Sequence, residues 1–191
     1  MAEIEDFADD SNELMLVELV CHPDTPCPHI EQLEVQIFEI AADRLHIRYL
    51  ITGDVDEISW PDAAENVRTD QLWQHTCFET FIKSTDGPSY REYNFSPSSQ
   101  WAAYEFDSYR AGMKDMPCSP PSNWGDAGAD WLGVEIELSG SQFVDAMTNF
   151  TAVIELKDGS KSYWALKHPE GPPDFHNPSC FILQLKAPDA A

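Results

Sequence analysis

The chain has 191 residues, of which 42% are hydrophobic, and its 34 acidic residues against 11 basic ones give a formal net charge of −23. This length and apolar content are typical of one folded domain and exclude a chain that is disordered throughout. The charge argues against nucleic acid and membranes as partners, because clustered Lys and Arg bind both, and no apolar run reaches the roughly 20 residues of a membrane-spanning helix.

Residues 1–12, MAEIEDFADDSN, are acidic and lack the basic start and apolar stretch of a secretory signal. We expect them to form a disordered lead and residues 13–187 to form a single domain. Without a signal, the expected location is the cytoplasm.

The first half of the chain predicts strands. Apolar and polar residues alternate in 33–40 and 44–51 with the period of two that half-buried strands show, and the turn around Asp43 joins these segments into a hairpin. Segment 13–20 is a further strand candidate. Segments 72–82 and 90–96 flank a DGP turn and predict a second antiparallel hairpin.

The second half of the chain continues the pattern of short strands. Strands are predicted at 101–107, 131–138, 150–156, 161–167 and 180–185. A Pro- and Gly-rich loop is predicted at 113–130, and 139–147 is the one short helix that the pattern favours. About ten short strands with at most one or two short helices indicate an all-β sandwich or barrel.

The five cysteines are irregularly spaced and include no CxxC pair. A disulfide framework is not expected in a domain of this size, so we predict that all five thiols are reduced. The segment CHPDTPCPH holds two Cys and two His, but it lacks the paired spacing of a zinc site and is interpreted as a strand-to-loop transition. No metal site is predicted there.

The segment LWQHTCFETFI (72–82) is unusual because polar groups interrupt an apolar strand. Alternation places Trp73, His75, Cys77, Glu79 and Phe81 on one face. Aromatic rings with carboxylate and amide groups between them indicate a groove on one sheet, of the kind that binds carbohydrate. The alternative is that these aromatics fill the core and that the polar residues are paired structural groups.

Three long stretches resemble bacterial DOMON-like proteins, which are relatives of family 9 carbohydrate-binding modules. They are LWQHTCFETFI, YREYNFSPSSQWAAYEFDSYRAGM and YWALKHPEGPPDFHNPSCFILQL. The resemblance covers about residues 14 to 186. It implies an all-β, immunoglobulin-like antiparallel β-sandwich of about ten strands and a non-catalytic, ligand-binding role.

The resemblance also implies a binding site in which two Trp rings clamp the end of a glycan beside a Glu. Trp73 and Glu79 match the first ring and the carboxylate, and Trp164 would be the second ring. Arg91 and Asn94 are the expected polar contacts on the neighbouring strand. His75, on the predicted face of Trp73, and His168, close to Trp164 in sequence, complete the predicted ligand-binding set.

Two cofactors are conceivable on the same resemblance, although none is predicted. A haem would need an axial ligand from Met113, Met116, His75 or His168, and these residues have no distinctive spacing. The acidic segment 54–65 could hold a structural calcium ion, but it lacks the D-x-D-x-D-G pattern.

Two further functions stay open. His168, Asp174 and His176 could serve a hydrolase, and Glu79 with Glu92 could form a glycosidase-like pair, although the chain has no nucleophile motif and we expect no enzyme. A sandwich that binds a protein partner through free sheet edges is the other alternative. The favoured partner is a small molecule or an oligosaccharide.

Overall fold

The computed structural model describes residues 13–83, 86–140 and 143–187, so the predicted lead at 1–12 lies outside the described residues. In chain order the strands are β1 (Met15–Glu18), β2 (Val20–Cys21), β3 (Ile30–Ile40), β4 (Arg44–Gly53), β5 (Cys77–Lys83), β6 (Tyr90–Phe95), β7 (Trp101–Phe106), β8 (Lys114–Asp115), β9 (Ser122–Ala127), β10 (Trp131–Ser139), β11 (Met147–Glu155), β12 (Lys161–Ala165) and β13 (Leu183–Gln184). Short 3-10 helices lie at Val55–Glu57, Leu72–Gln74 and Pro178–Cys180. No helix in these ranges has the length and apolar character that crossing a bilayer would require.

The strands form two antiparallel sheets. The smaller sheet has the order β1-β3-β4-β10-β9, and the larger one has the order β2-β12-β11-β5-β6-β7-β8, with β13 paired to β11. This architecture confirms the predicted all-β sandwich. The predicted hairpins are also confirmed, since β3 pairs with β4 and β5 pairs with β6 in antiparallel register. The immunoglobulin-like class stays a prediction.

The main core lies between the two sheets and follows from the period-two pattern. Alternate residues of β4, among them Leu45, Ile47 and Tyr49, are fully buried, and Phe78 and Phe150 of the larger sheet belong to the same apolar cluster. The Tyr49 hydroxyl donates a hydrogen bond of 2.6 Å to the backbone carbonyl of Glu79. This bond crosses the core and ties β5 to the opposite sheet.

Three predicted elements differ in the structure. Segment 13–20 divides at the buried Leu19, so that β1 joins the smaller sheet and β2 the larger one. The predicted helix at 139–147 is wrong, because β10 runs to Ser139, Asp145 adopts a left-handed φ of 63° and β11 begins at Met147; residues 141 and 142 lie outside the described residues. The predicted loop at 113–130 contains β8 and β9, which neighbouring strands hold by pairing despite a turn-like composition.

Segment 72–82 begins differently from its prediction. Gln71 has a left-handed φ of 63° and precedes the 3-10 helix Leu72–Gln74, so the strand starts only at Cys77. Trp73 and His75 therefore do not follow the alternation of β5. At the other end of the chain, the predicted strand 180–185 shortens to β13, because Pro178–Cys180 forms a 3-10 turn that Asn177 caps.

Candidate ligand-binding cleft

The outer face of the larger sheet carries a cleft of about 790 Å³. Its floor comes from β5, β6 and β7 with the side chains Glu79, Glu92, Asn94, Tyr104 and Phe106. Its walls come from segments 70–74 and 173–176, which lie outside the sheet, and from 110–115, which ends in the edge strand β8. Strand alternation explains the floor, because residues that neighbour core side chains in sequence must point to the opposite face.

Beside the cleft, the outer face of the larger sheet is buried, although the outer face of a sandwich is normally exposed to solvent. The C-terminal segment packs Phe175 and Phe181 onto Phe81, Tyr90 and Phe106, and together they form a second apolar cluster. This cover removes water from the polar groups at the edge of the cluster. Burial of polar side chains at the cleft is therefore a consequence of how the chain end folds back onto the sheet.

Two carboxyl groups lie side by side on the cleft floor. Glu79 pairs with Asn94 across β5 and β6, and Glu92 is two residues from Asn94 on the same face, so Glu79 and Glu92 are diagonal neighbours. Glu79 is 3% exposed and Glu92 is 5% exposed. Burial raises the pKa of Glu92 to about 7. Burial, with a contribution from the charge of Glu92, raises the pKa of Glu79 well above its usual range. The pair therefore holds protons more readily than exposed carboxyl groups do.

Asn94 is the polar side chain with an unmet hydrogen-bonding group at the cleft. Its Nδ2 donates a hydrogen bond of 2.7 Å to Glu92 Oε1. Its Oδ1 is buried without a hydrogen-bond partner. A buried oxygen that lacks a donor costs free energy, and a group that donates a hydrogen bond to Oδ1 would remove this cost.

The other side of Glu92 faces a chain of hydrogen bonds. His176 Nε2 lies 3.7 Å from Glu92 Oε2, and the hydroxyl of Tyr90 lies 2.7 Å from His176 Nδ1. The hydroxyl of Tyr90 also accepts a bond of 3.2 Å from the backbone N–H of Arg110. Burial and then the charge of Arg110 lower the pKa of His176 to about 4, which makes its imidazole neutral at pH 7.

Arg110 supplies a positive charge at one wall of the cleft. Its Nε and Nη2 donate hydrogen bonds of 3.2 and 2.8 Å to Asp174 Oδ1, and the hydroxyl of Tyr109 donates one of 2.6 Å to Oδ2. Although burial acts in the opposite direction, these two donors lower the pKa of Asp174. The ion pair joins the segment after β7 to the C-terminal segment and shapes the wall.

Aromatic surfaces border the polar groups. Trp73 is 41% exposed at the rim, although it is a large apolar side chain. The hydroxyl of Tyr104 donates a hydrogen bond of 2.7 Å to Asp70 Oδ1, which holds the ring in place. Phe106 stacks on Tyr90 with 4.7 Å between ring centroids and 5° between planes. The cleft thus combines flat apolar faces with directional polar groups.

Three of the predicted ligand-binding residues line this cleft, namely Trp73, Glu79 and Asn94. The structure brings them together from the 3-10 helix at 72–74, from β5 and from β6. Their role in binding stays a prediction.

Trp164 does not face the groove, so its predicted place across from Trp73 is wrong. It is 6% exposed in the core between the sheets, and its Nε1 donates a hydrogen bond of 2.9 Å to Ser162 Oγ. Alternation along β12 puts the neighbouring Tyr163 on the outer face, where it lines the cleft. The prediction carried Trp164 over from the resemblance, and no second observation fixed the phase of the strand.

Arg91 also lies away from the cleft. It is on the face of β6 opposite to Glu92, and its guanidinium carbon is 5.9 Å from the ring centroid of Phe143. The predicted contact of Arg91 with a ligand in the groove is therefore corrected by strand alternation. Arg110, which no pattern in the sequence pointed to, is the arginine at the cleft.

The two predicted histidines lie outside the cleft as well. His75 is exposed, and its Nδ1 lies 2.7 Å from Glu155 Oε2. The Nε2 of His168 donates a hydrogen bond of 2.8 Å to the backbone carbonyl of Val20, and its ring packs edge-on against His22. Asp174, the carboxylate considered with His168 and His176 for a hydrolase, is paired with Arg110.

The residues considered for haem or metal ions are dispersed. Met116 is buried in the core, whereas Met113 is exposed at the cleft rim. In the described ranges, no three His, Cys, Asp or Glu side chains are grouped in a way that could hold a metal ion. The five cysteine side chains form no disulfide.

Sequence reasoning named Glu92 and His176 only as members of possible catalytic groups, and it missed Arg110 and Phe175. Glu92 could have been assigned to the cleft, because it shares its strand phase with Asn94. Arg110, Phe175 and His176 lie in connecting segments, where no periodicity indicates the direction of a side chain.

Comparison with solved structures shows which known folds this chain is similar to. One is a proposed carbohydrate-binding protein from Bacteroides uniformis, with a TM-score of 0.63 and 14% identity over 90% of this chain and 85% of that chain. Another is a family 9 carbohydrate-binding module from Caldicellulosiruptor kristjanssonii in complex with cellotriose, with a TM-score of 0.52 and 10% identity over 88% and 79%. These likenesses show that the chain shares the fold of these two proteins. No family model matches the sequence, and no curated protein matches it significantly.

Proposed function

We propose that this protein is a non-catalytic carbohydrate-binding module and that its saccharide ligand lies in the cleft on the outer face of the larger sheet. The main support for the proposal is that the exposed ring of Trp73 and the buried, unpartnered Oδ1 of Asn94 lie in one cleft. A sugar ring offers apolar C–H faces for the first group and hydroxyl donors for the second.

The fold supports the same function. Both solved structures reported above share the fold, one is a proposed carbohydrate-binding protein, and the other was determined with cellotriose. The carboxyl groups of Glu79 and Glu92 add directional hydrogen-bonding groups beside Asn94, so that several hydroxyls of one sugar can be met at once. The DOMON-like relationship is part of this proposal.

A glycan array followed by calorimetry tests the function. The wild type should bind at least one saccharide, and Trp73→Ala should weaken that binding by about tenfold to hundredfold, because removal of a stacking ring costs roughly 1–3 kcal/mol. The matched control is Trp124→Ala, which removes a ring that is also 41% exposed but lies on β9 of the smaller sheet. Its affinity should equal that of the wild type.

Two results would contradict the proposal. The first is an array on which no glycan binds the wild type at millimolar concentration. The second is an equal loss of affinity in Trp73→Ala and Trp124→Ala, since that result would place the ligand away from the cleft.

A further inference from the structure

The cleft presents three hydrogen-bond acceptors close together on two adjacent strands. Glu79 and Asn94 are directly opposed across β5 and β6, and Glu92 follows on the same face. Each of these residues is at most 5% exposed. Asn94 Nδ2 donates one of its two N–H groups to Glu92, whereas Oδ1 of Asn94 has no partner and can only accept a hydrogen bond from a ligand.

The charges that line the cleft are unbalanced. Four carboxyl groups, those of Asp70, Glu79, Glu92 and Asp115, stand against the two cationic groups of Arg110 and Lys161, although burial favours the neutral form of Glu79 and raises the pKa of Glu92 to about 7. Both cations face carboxylates that do not line the cleft. Arg110 is bonded to Asp174, and Lys161 Nζ lies 3.9 Å from Glu155 Oε1. A ligand that brings a positive charge would therefore be favoured.

We propose, building on the carbohydrate-binding function above, that the cleft selects saccharides with a protonated amino group and that Glu79, Glu92 and Asn94 bind this group. An ammonium group has three N–H donors and no acceptor, which matches a site made of two carboxyl groups and one amide oxygen. A hydroxyl at the same position supplies one donor and no charge. Hydrogen bonds between ionised partners are also roughly twice as strong as those between neutral ones.

A divalent cation is the other partner that a pair of carboxyl groups could take. In the part of the chain that the structure describes, the pair has no third His, Cys, Asp or Glu in an arrangement suited to a metal ion. The bordering rings of Trp73, Tyr104 and Phe106 also suit a sugar ring better than a hydrated ion. An amine carried on a sugar meets both the acceptors and the rings.

Calorimetry with glucosamine, N-acetylglucosamine and glucose tests the inference, because these sugars differ at a single substituent. At roughly pH 7.5, where Glu92 is mostly ionised and a sugar amine is still largely protonated, the wild type should bind glucosamine at least about tenfold more tightly than the other two. Glu79→Gln and Glu92→Gln should each lose this preference. If one of the two variants folds poorly, the other one still tests the inference. Glu137→Gln makes the same change on an exposed strand position of the other sheet and should keep the preference.

The outcomes separate this inference from the function on which it rests. If glucose and glucosamine bind the wild type equally, or if Glu79→Gln and Glu92→Gln keep the preference, the amine selectivity is wrong while carbohydrate binding stands. If calcium chloride alone binds the wild type and Glu79→Gln abolishes that binding, the pair is a metal site and the inference is overturned. If no saccharide of any charge binds, the proposed function fails as well.

Discussion

Glu92 is a carboxylic acid in surroundings that favour its neutral form. It is almost fully buried, and its pKa rises from an ordinary 4.5 to about 7 because water is removed from the carboxylate. An acid with a raised pKa binds more protons in the folded state than in the unfolded state. The free energy of unfolding must therefore fall as the pH rises from 4.5 through about 7.

Replacing Glu92 by Gln should remove this cost while keeping the shape of the side chain. At about pH 8 we expect Glu92→Gln to be more stable than the wild type by on the order of 2–3 kcal/mol, and near pH 4.5 we expect the difference to be small. Urea unfolding of both proteins across this pH range measures the effect. The stability of Glu137→Gln, a change at an exposed position, should follow that of the wild type throughout this pH range. A wild type that gains stability relative to Glu92→Gln between pH 5 and pH 8 would refute the argument.

Trp164 and Tyr163 show how the phase of a strand decides which of two neighbouring aromatic residues is buried. Both are large aromatic side chains, and the sequence offers equal reason to bury either one. The structure buries Trp164 between the sheets and turns Tyr163 towards the cleft. Because one residue of phase exchanges the two faces of a strand, a local motif could not decide which ring meets the ligand.

At the scale of elements, the end of β4 depends on one glycine. Gly53 has a φ of +137°, and a Cβ at this position would lie 2.4 Å from the backbone carbonyl oxygen of His29. That carbonyl is held in place because it accepts a hydrogen bond of 2.8 Å from the backbone N–H of Asp54. The close approach of β3 to the end of β4 therefore requires the absence of a side chain.

Gly53→Ala should destabilise the fold by roughly 2–4 kcal/mol, because the alanine adds both backbone strain and a clash with a fixed carbonyl. Thermal or urea unfolding measures this change. Gly87→Ala is the control, since a Cβ there meets nothing within 4 Å and Gly87 has no positive φ. Equal stability of the two variants would show that the β3–β4 hairpin adjusts more freely than this geometry allows.

At the scale of the whole molecule, the net charge of −23 opposes compaction. Folding brings the carboxylates closer together than they are in the unfolded chain, and dissolved ions screen their repulsion. We expect sodium chloride, raised from about 20 mM to about 300 mM, to increase the thermal midpoint by about 2–5 °C.

The dependence on salt should come from the charge balance and not from one ion pair. A double variant, Asp126→Asn with Glu137→Gln, removes two exposed carboxylates from the smaller sheet and should respond less to salt than the wild type. Differential scanning fluorimetry across the salt series compares the two proteins. A midpoint that falls with salt would mean that attractive pairs, such as Arg110 with Asp174, outweigh the general repulsion.

The amino-acid sequence by itself determined the fold class and the main hairpins. Alternation with a period of two is a property of short segments, and it survives packing because a strand must bury one face, as β3 and β4 do. The same logic predicted that Glu79 and Asn94 would lie on neighbouring strands. Sequence patterns did not predict β9, because its Pro- and Gly-rich surroundings indicated a loop although the segment pairs as a strand.

Only the tertiary structure decided which face becomes the cleft and which groups complete it. The C-terminal segment folds back over the larger sheet, buries Glu92 and brings His176 to it, although 84 positions separate these two residues in the chain. Arg110 reaches the same site from a loop whose direction no periodicity encodes. Burial, charge and phase at this site depend on contacts between distant segments. For this physical reason, strand alternation and the resemblance together named Trp73, Glu79 and Asn94, which line the cleft, but misplaced Trp164 and Arg91.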